Sequence, residues 1–240
     1  MRKILSILML LSSLIISLSC AKTKSENIKT SGFFADIKVT GSNEGSTYYC
    51  SVYFQVESGG TYIELNSGDA VTCNGNTMSK SVLGSIVSYS TNISAAAGNS
   101  VTVTLTRSGE NPYESTVVIP SLINSATLTG TPVNSVYQFT KGSTINLSWT
   151  PTSVTSEYMK IYLEYNYQES KGKTYEINDT APEDGVGSFS STQTNVAGEP
   201  TGSWDGNISF YRFNEGTIAT GLKGTIKSYQ KKSFTITLVD

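Results

Sequence analysis

The residues able to do chemistry in this chain are few, and they begin with an absence: none of its 240 residues is histidine. That removes the commonest general base and the commonest metal ligand, and it excludes Ser-His-Asp and Cys-His sites. Nucleophile-elbow, zinc and P-loop motifs are missing as well. Chemistry is left to the 19 carboxylates, and a glycosidase-type pair of acids is defined by its separation in space, which spacing along the chain does not give. A carboxylate-only hydrolase is thus the one enzymatic reading left open. The run Asn178-Asp179-Thr180-Ala181-Pro182-Glu183-Asp184 gathers oxygen ligands of the kind calcium takes. It lacks EF-hand spacing, and Asn, Asp and Pro are equally what a solvated turn uses. No catalytic residue, cofactor or metal site is expected.

Binding chemistry has better candidates. Tyr158 and Tyr162 lie two strand periods apart, and Trp204 stands beside Asp205. All three read as exposed aromatics that can engage a protein or a glycan, since Tyr and Trp dominate interface hot spots. Packing at a sheet edge is the plainer alternative.

The three cysteines, Cys20, Cys50 and Cys73, divide by position. Arg2 and Lys3 precede an apolar run over residues 4–16, which is the grammar of a signal peptide. At about 13 residues it is too short to span a bilayer as a helix, which takes roughly 20. Ser17-Leu18-Ser19-Cys20 resembles a relaxed bacterial lipobox, with a small residue just before the cysteine. Ordinary cleavage after a small-x-small pattern is the competing reading. An odd thiol in an exported chain needs an explanation, and lipid on Cys20 supplies one, leaving Cys50 and Cys73 as a possible pair. A disulfide there would close a loop of about 24 residues, worth roughly 3 kcal/mol by loop entropy; two buried thiols are the alternative. Resemblance to lipoproteins implies two or three acyl chains and permanent membrane anchoring, and Ala21 after the cysteine implies the outer membrane, on its surface or periplasmic side.

Removing residues 1–19 takes away two of the 17 basic residues and none of the 19 acidic ones, which leaves a net charge of −4. No basic patch invites nucleic acid. Charged residues make up only 15% of the chain, so Ser, Thr, Asn and Gly carry its solvation, as in many secreted β proteins.

The elements that must position these residues read as strands. Residues 20–32 lack periodicity and are rich in lysine, which reads as a lipidated N-terminus and flexible tether. From Phe33 the alternation is period two, with Ala35, Ile37 and Val39 on one face, followed by Tyr48, Cys50, Val52, Phe54 and Val56. Turn signals then recur at short intervals to Pro120, giving seven short strands and the pattern of a sandwich. Strand grammar restarts beyond Pro120. Ile145, Leu147 and Trp149 face a second core, as do Met159, Ile161, Leu163 and Tyr165. The expected architecture is all-β: two antiparallel immunoglobulin-like β-sandwich domains, over residues 33–120 and 121–240, after the signal peptide and tether.

The run Ser143-Thr-Ile-Asn-Leu-Ser-Trp-Thr-Pro151 resembles the second strand of fibronectin type III and related immunoglobulin-like domains, where apolar alternation ends in a core Trp followed by Pro. A wider likeness is to a group of bacterial lipoproteins. It rests on the Gly68-Asp69 turn, the strand ending Val117-Val-Ile-Pro120, the Leu147-Ser-Trp-Thr-Pro151 run, the hairpin from Arg212 to Gly216 and the strand at Gly224-Thr-Ile226. Neither likeness carries an activity; the anchor, the tether, the β grammar and the missing catalytic residues point to a non-enzymatic protein that serves in binding, adhesion or envelope assembly, with a carbohydrate-binding module as the second reading.

Overall fold

The computed structural model describes residues 22–42, 45–154, 156–168, 171–180, 188–191 and 202–240. Residues 1–19, expected as a signal peptide, lie outside these, as do Cys20 and residues 181–187. Ten strands precede Pro120: β1 (Thr23–Lys24), β2 (Phe33–Ser42), β3 (Thr47–Val56), β4 (Ile63–Glu64), β5 (Ala70–Cys73), β6 (Asn76–Thr77), β7 (Ser79–Leu83), β8 (Ile86–Ser94), β9 (Ser100–Thr106) and β10 (Tyr113–Val118). Eight follow: β11 (Thr127–Leu128), β12 (Val136–Thr140), β13 (Ile145–Ser148), β14 (Tyr158–Gln168), β15 (Lys171–Thr180), β16 (Ser188–Ser191), β17 (Trp204–Glu215) and β18 (Lys223–Val239). Among the described residues the helical elements are two three-residue 3₁₀ turns, and no helix is long and apolar enough to cross a membrane.

The fold is an all-β sandwich with two hydrophobic cores. The first lies between the β2–β3–β8–β7 layer and the β10–β9–β5–β6 sheet. Strict alternation builds it: Phe33, Ala35, Ile37 and Val39 are buried from β2, and Tyr48, Cys50, Val52 and Phe54 from β3. The second core lies between β14, β17 and β18 on one side and the small β11–β13–β16 sheet on the other. Trp149 fills it, its ring edge-on to Phe210 with centroids 6.0 Å apart. Met159, Ile161 and Leu163 are all but fully buried beneath it.

Pro120 separates these cores but not the sheets. One nine-stranded sheet runs β15–β14–β17–β18–β2–β3–β8–β7 across both halves, with β12 also paired to β18. The joint is β18, whose residues 223–231 pair with β2 and whose residues 235–239 pair with β12. Both pairings are parallel, as is the short β1–β4 pair, so the sandwich is not wholly antiparallel. Period-two alternation says which face a strand buries but is silent on which strand it meets. Gly224 makes the junction with β2 possible: its φ is +121°, and a Cβ there would stand 2.0 Å from the Ala35 carbonyl oxygen.

The connection between the halves is held by buried side chains of β17 and β18. Arg212 donates from Nη1 to the Leu122 carbonyl (2.5 Å) and from Nη2 to the Thr150 carbonyl (2.9 Å), and its Nε lies 3.8 Å from Glu157 Oε2. The other Glu157 oxygen accepts from the Ser121 amide and hydroxyl at 2.7 and 3.0 Å. Ser228 and Asn214 both donate to the Val118 carbonyl, and Gln230 donates to the Tyr48 hydroxyl and the Pro120 carbonyl. Backbone polar groups that a buried connection would strand are satisfied in this way.

Residues 22–32, expected as a flexible tether, are instead docked on the first core. β1 adds to β4, and Ser25 and Thr30 are buried. Arg107 donates to the Ser25 and Ile28 carbonyls and to Thr30 Oγ1, at 2.7, 3.1 and 2.6 Å, with its guanidinium 4.8 Å from the Phe33 ring centroid. Asp69 accepts from Ser25 Oγ at 2.6 Å, and Glu110 from Thr30 Oγ1 at 2.6 Å. Lys22, Lys24 and Lys80 converge on Glu64 at 3.1, 3.1 and 2.8 Å. These three ammonium groups, Lys80 foremost, hold the Glu64 carboxyl at about 2 against an ordinary 4.5.

Candidate functional site

The outer face of the nine-stranded sheet carries the densest aromatic group at the surface. On β14 the residues that alternate with the buried ones are Tyr158, Lys160, Tyr162 and Glu164, all partly exposed. Antiparallel register sets Tyr158 opposite Phe213 and Lys160 opposite Tyr211 on β17. The next step sets Phe213 opposite Tyr229 and Tyr211 opposite Lys231 on β18, and the parallel junction then sets Tyr229 opposite Thr40 and Lys227 opposite Lys38 on β2. Aromatic and lysine side chains of four strands are thereby gathered on one face.

The rings pack on each other. Tyr158 and Phe213 are stacked, with centroids 5.0 Å apart and planes 16° from parallel. Phe213 leans on Tyr229 at 5.6 Å, and Tyr211 meets Tyr162 and Tyr229 edge-on at 5.5 and 6.5 Å. Lys231 sits 5.2 Å from the Tyr211 ring centroid and Lys227 5.5 Å from that of Phe213. Ring faces are thus largely occupied by neighbouring rings and by cations, while hydroxyls and ammonium groups rim a groove of about 470 Å³. Among the described residues lining that groove, Glu164 is the one acid. Burial pushes the Tyr229 phenol above its ordinary range, so it stays a neutral donor and acceptor at physiological pH.

The sequence candidates divide on this map. Tyr158 and Tyr162 share the face. Trp204 does not: it is 2% exposed inside the second core, with the Lys141 ammonium 3.8 Å from its ring centroid. The register Trp204↔Leu238 turns it inward together with Ile208 and Phe210. Tyr211, Phe213 and Tyr229 were not singled out by the sequence. Phe210-Tyr211-Arg212-Phe213 puts an aromatic on each face of β17, which conceals which face is the surface.

Cys50 and Cys73 are buried free thiols, so the expected disulfide is not formed here. They come from opposite layers, β3 and β5, and meet in the first core. A hydrogen bond between the two sulfurs, with burial, pushes the Cys50 thiol far up, which keeps it protonated and unreactive. Cys20 lies outside the described residues, as does the Asp184 end of the acidic turn. Among the described residues no group of three or more His, Cys, Asp or Glu is placed to hold a metal ion.

The site thus belongs to an all-β sandwich with a preassembled aromatic–lysine sheet face. No family model matches the chain, and no curated protein matches it. Among solved structures the chain is similar to the Yersinia pseudotuberculosis adhesin InvE, at 12% identity over 84% of this chain and 58% of that one, with a TM-score of 0.21. The chain therefore spans less than two thirds of that adhesin's length.

Proposed function

We propose that this chain is a non-enzymatic lipoprotein, anchored in the outer membrane through lipid on Cys20, that binds a protein partner through the aromatic–lysine face. The observation that carries the reading is the shared face of Tyr162, Tyr211, Phe213 and Tyr229 around one groove, with Tyr158 stacked on Phe213 beside it. Rings already fixed by their neighbours lose little conformational entropy when a partner covers them, which is what makes aromatic hot spots effective. A sugar would need an open ring face to stack on, and Lys231 covers a face of Tyr211 while Lys227 and Tyr158 cover Phe213. A protein partner is therefore favoured over a glycan. Lys227 and Lys38 on this face already pair with Glu215 and Asp36, so the rings rather than the ammonium groups carry the contact.

The anchor is tested by metabolic labelling with a fatty acid: Cys20→Ser abolishes incorporation and Cys50→Ser does not. The face is tested by a photo-crosslinking amino acid at Tyr162 in intact cells. A discrete adduct is expected that disappears with Tyr211→Ser and is absent when the crosslinker stands at the exposed Val133 on another surface. No adduct at Tyr162, or the same adduct from both positions, would sink the binding-face assignment.

A further inference from the structure

The β7–β8 hairpin exposes more apolar surface than its place in the sheet explains. Leu83 is 78% exposed, Val82 43% and Ile86 41%. They surround a two-residue turn in which Gly84 takes φ +60°, the positive angle such hairpin turns require. None of the three packs into the first core, so the tip is a small apolar finger built for something outside the chain.

Strand directions place this finger beside the start of the folded body. β8 runs antiparallel to β3, so moving from Tyr89 toward Ile86 follows β3 toward Val56. β4 folds back along that end of β3 through the Gln55–Tyr62 bridge, and β1 is parallel to β4. Tracing β1 backward from Lys24 to Lys22 therefore leads toward the same end of the sandwich as the hairpin tip. The two are also linked directly, because Lys22 and Lys24 of the N-terminal segment and Lys80 of β7 all grip Glu64. From Lys80 to Leu83 is about 10 Å along the strand, and Cys20 is within about 7 Å of Lys22 along the backbone.

We infer that the tip of the β7–β8 hairpin sits in the lipid surface beside the anchor, with Leu83, Val82 and Ile86 in the headgroup–acyl boundary and Lys22, Lys24 and Lys80 at the anionic headgroups. This rests on the reading of Cys20 as lipidated. The chemistry fits that occupant: apolar side chains add to the hold of the acyl chains, and lysines with partly exposed stems reach past apolar surface to phosphates. Three ammonium groups outnumber Glu64 and Glu57, the acid that follows β3 at this end, by one, which leaves the patch basic on a chain that is acidic as a whole. A second contact beside the acyl chains would stop the body from swivelling and give it one fixed attitude to the membrane.

The test uses the mature lipoprotein in vesicles of zwitterionic and anionic phospholipid, with and without acyl chains brominated near the headgroup. Trp149 and Trp204 are buried in the second core and give a constant background. Leu83→Trp should add emission that brominated lipid quenches at least about twofold, whereas Val133→Trp, at a site 64% exposed, should add emission that bromine leaves alone. Flotation with the vesicles is scored in the same samples. A protein that floats while the Leu83→Trp emission ignores bromine overturns the inference and leaves the anchor intact; if that emission is also blue-shifted, a second copy of the chain covers the tip instead. A protein that does not float overturns the anchor and the inference together.

Discussion

Arg107 and Arg212 are both buried guanidiniums, both face carboxylates, and both donate to backbone carbonyls from distant parts of the chain, yet they join different things. Arg107 reaches back to Ser25 and Ile28 and fastens the N-terminal segment to the first core. Arg212 reaches Leu122 and Thr150 and fixes the connection between the two cores. The surroundings differ in how much survives without the arginine. Asp69 keeps a donor on each oxygen, Ser25 Oγ on one and the Ser108 amide on the other, whereas both Ser121 donors to the buried Glu157 fall on Oε1 and Oε2 is left facing Arg212. A buried cation is therefore a local clip in one place and part of a shared framework in the other.

This contrast can be broken experimentally, and the largest effect is expected at the junction. Arg212→Ala should cost about 3–5 kcal/mol in chemical denaturation, because it leaves a buried carboxylate uncompensated. It should also split one unfolding transition into two, since the cores would then answer separately; a single transition of unchanged midpoint would refute the shared framework. Arg107→Ala should cost less, about 1–3 kcal/mol, and its signature should be local. Hydrogen exchange would rise over residues 22–32 while β17 and β18 stay protected.

Glu64→Gln sharpens the clip further through pH. The folded carboxyl titrates at about 2, below its ordinary 4.5, so its stabilisation is present above pH 4.5 and is lost as pH falls toward 2. Its thermal midpoint should lie below that of the native chain at pH 6, by an amount equivalent to under about 1 kcal/mol given the solvent-exposed lysines. The gap should shrink from pH 4.5 downward and close as pH falls through 2, and a gap independent of pH would remove Glu64 from the clip. The smallest stability effect is expected on the sheet face. Tyr162→Ala should shift unfolding by about 0.5 kcal/mol or less, as surface changes do, while weakening partner binding about tenfold or more if the face is a hot spot.

Much of the fold was legible where one face of a strand is apolar and the other polar. β2, β3, β13 and β14 are of this kind, and the inward set of Met159, Ile161 and Leu163 followed from alternation alone. Tyr158 and Tyr162 were legible for the same reason. Trp204 was not, because Ser203 and Asp205 surround it with polar residues and Gly206 interrupts the alternation that would have tied it to Ile208. Docking of residues 22–32 left no local trace either, since its partners Glu64, Asp69, Arg107 and Glu110 are scattered over the next 80 or so residues. Parallel pairing of β18 with β2 belongs to the same class. Hydrophobic period fixes a face, and long-range partners are chosen by packing that no short window contains.

That pairing also sets an order of events. Phe34 of β2 lies opposite Lys223 of β18, roughly 190 residues further along, so a chain emerging N-terminus first has a first lobe with an open sheet edge until nearly its last residue appears. A pairing this distant in sequence is slow to form, because closing so long a loop costs entropy before its contacts are made. β18 therefore closes the open edge of β2 last, and the strand made at the end of synthesis is the one that completes the body begun at its start.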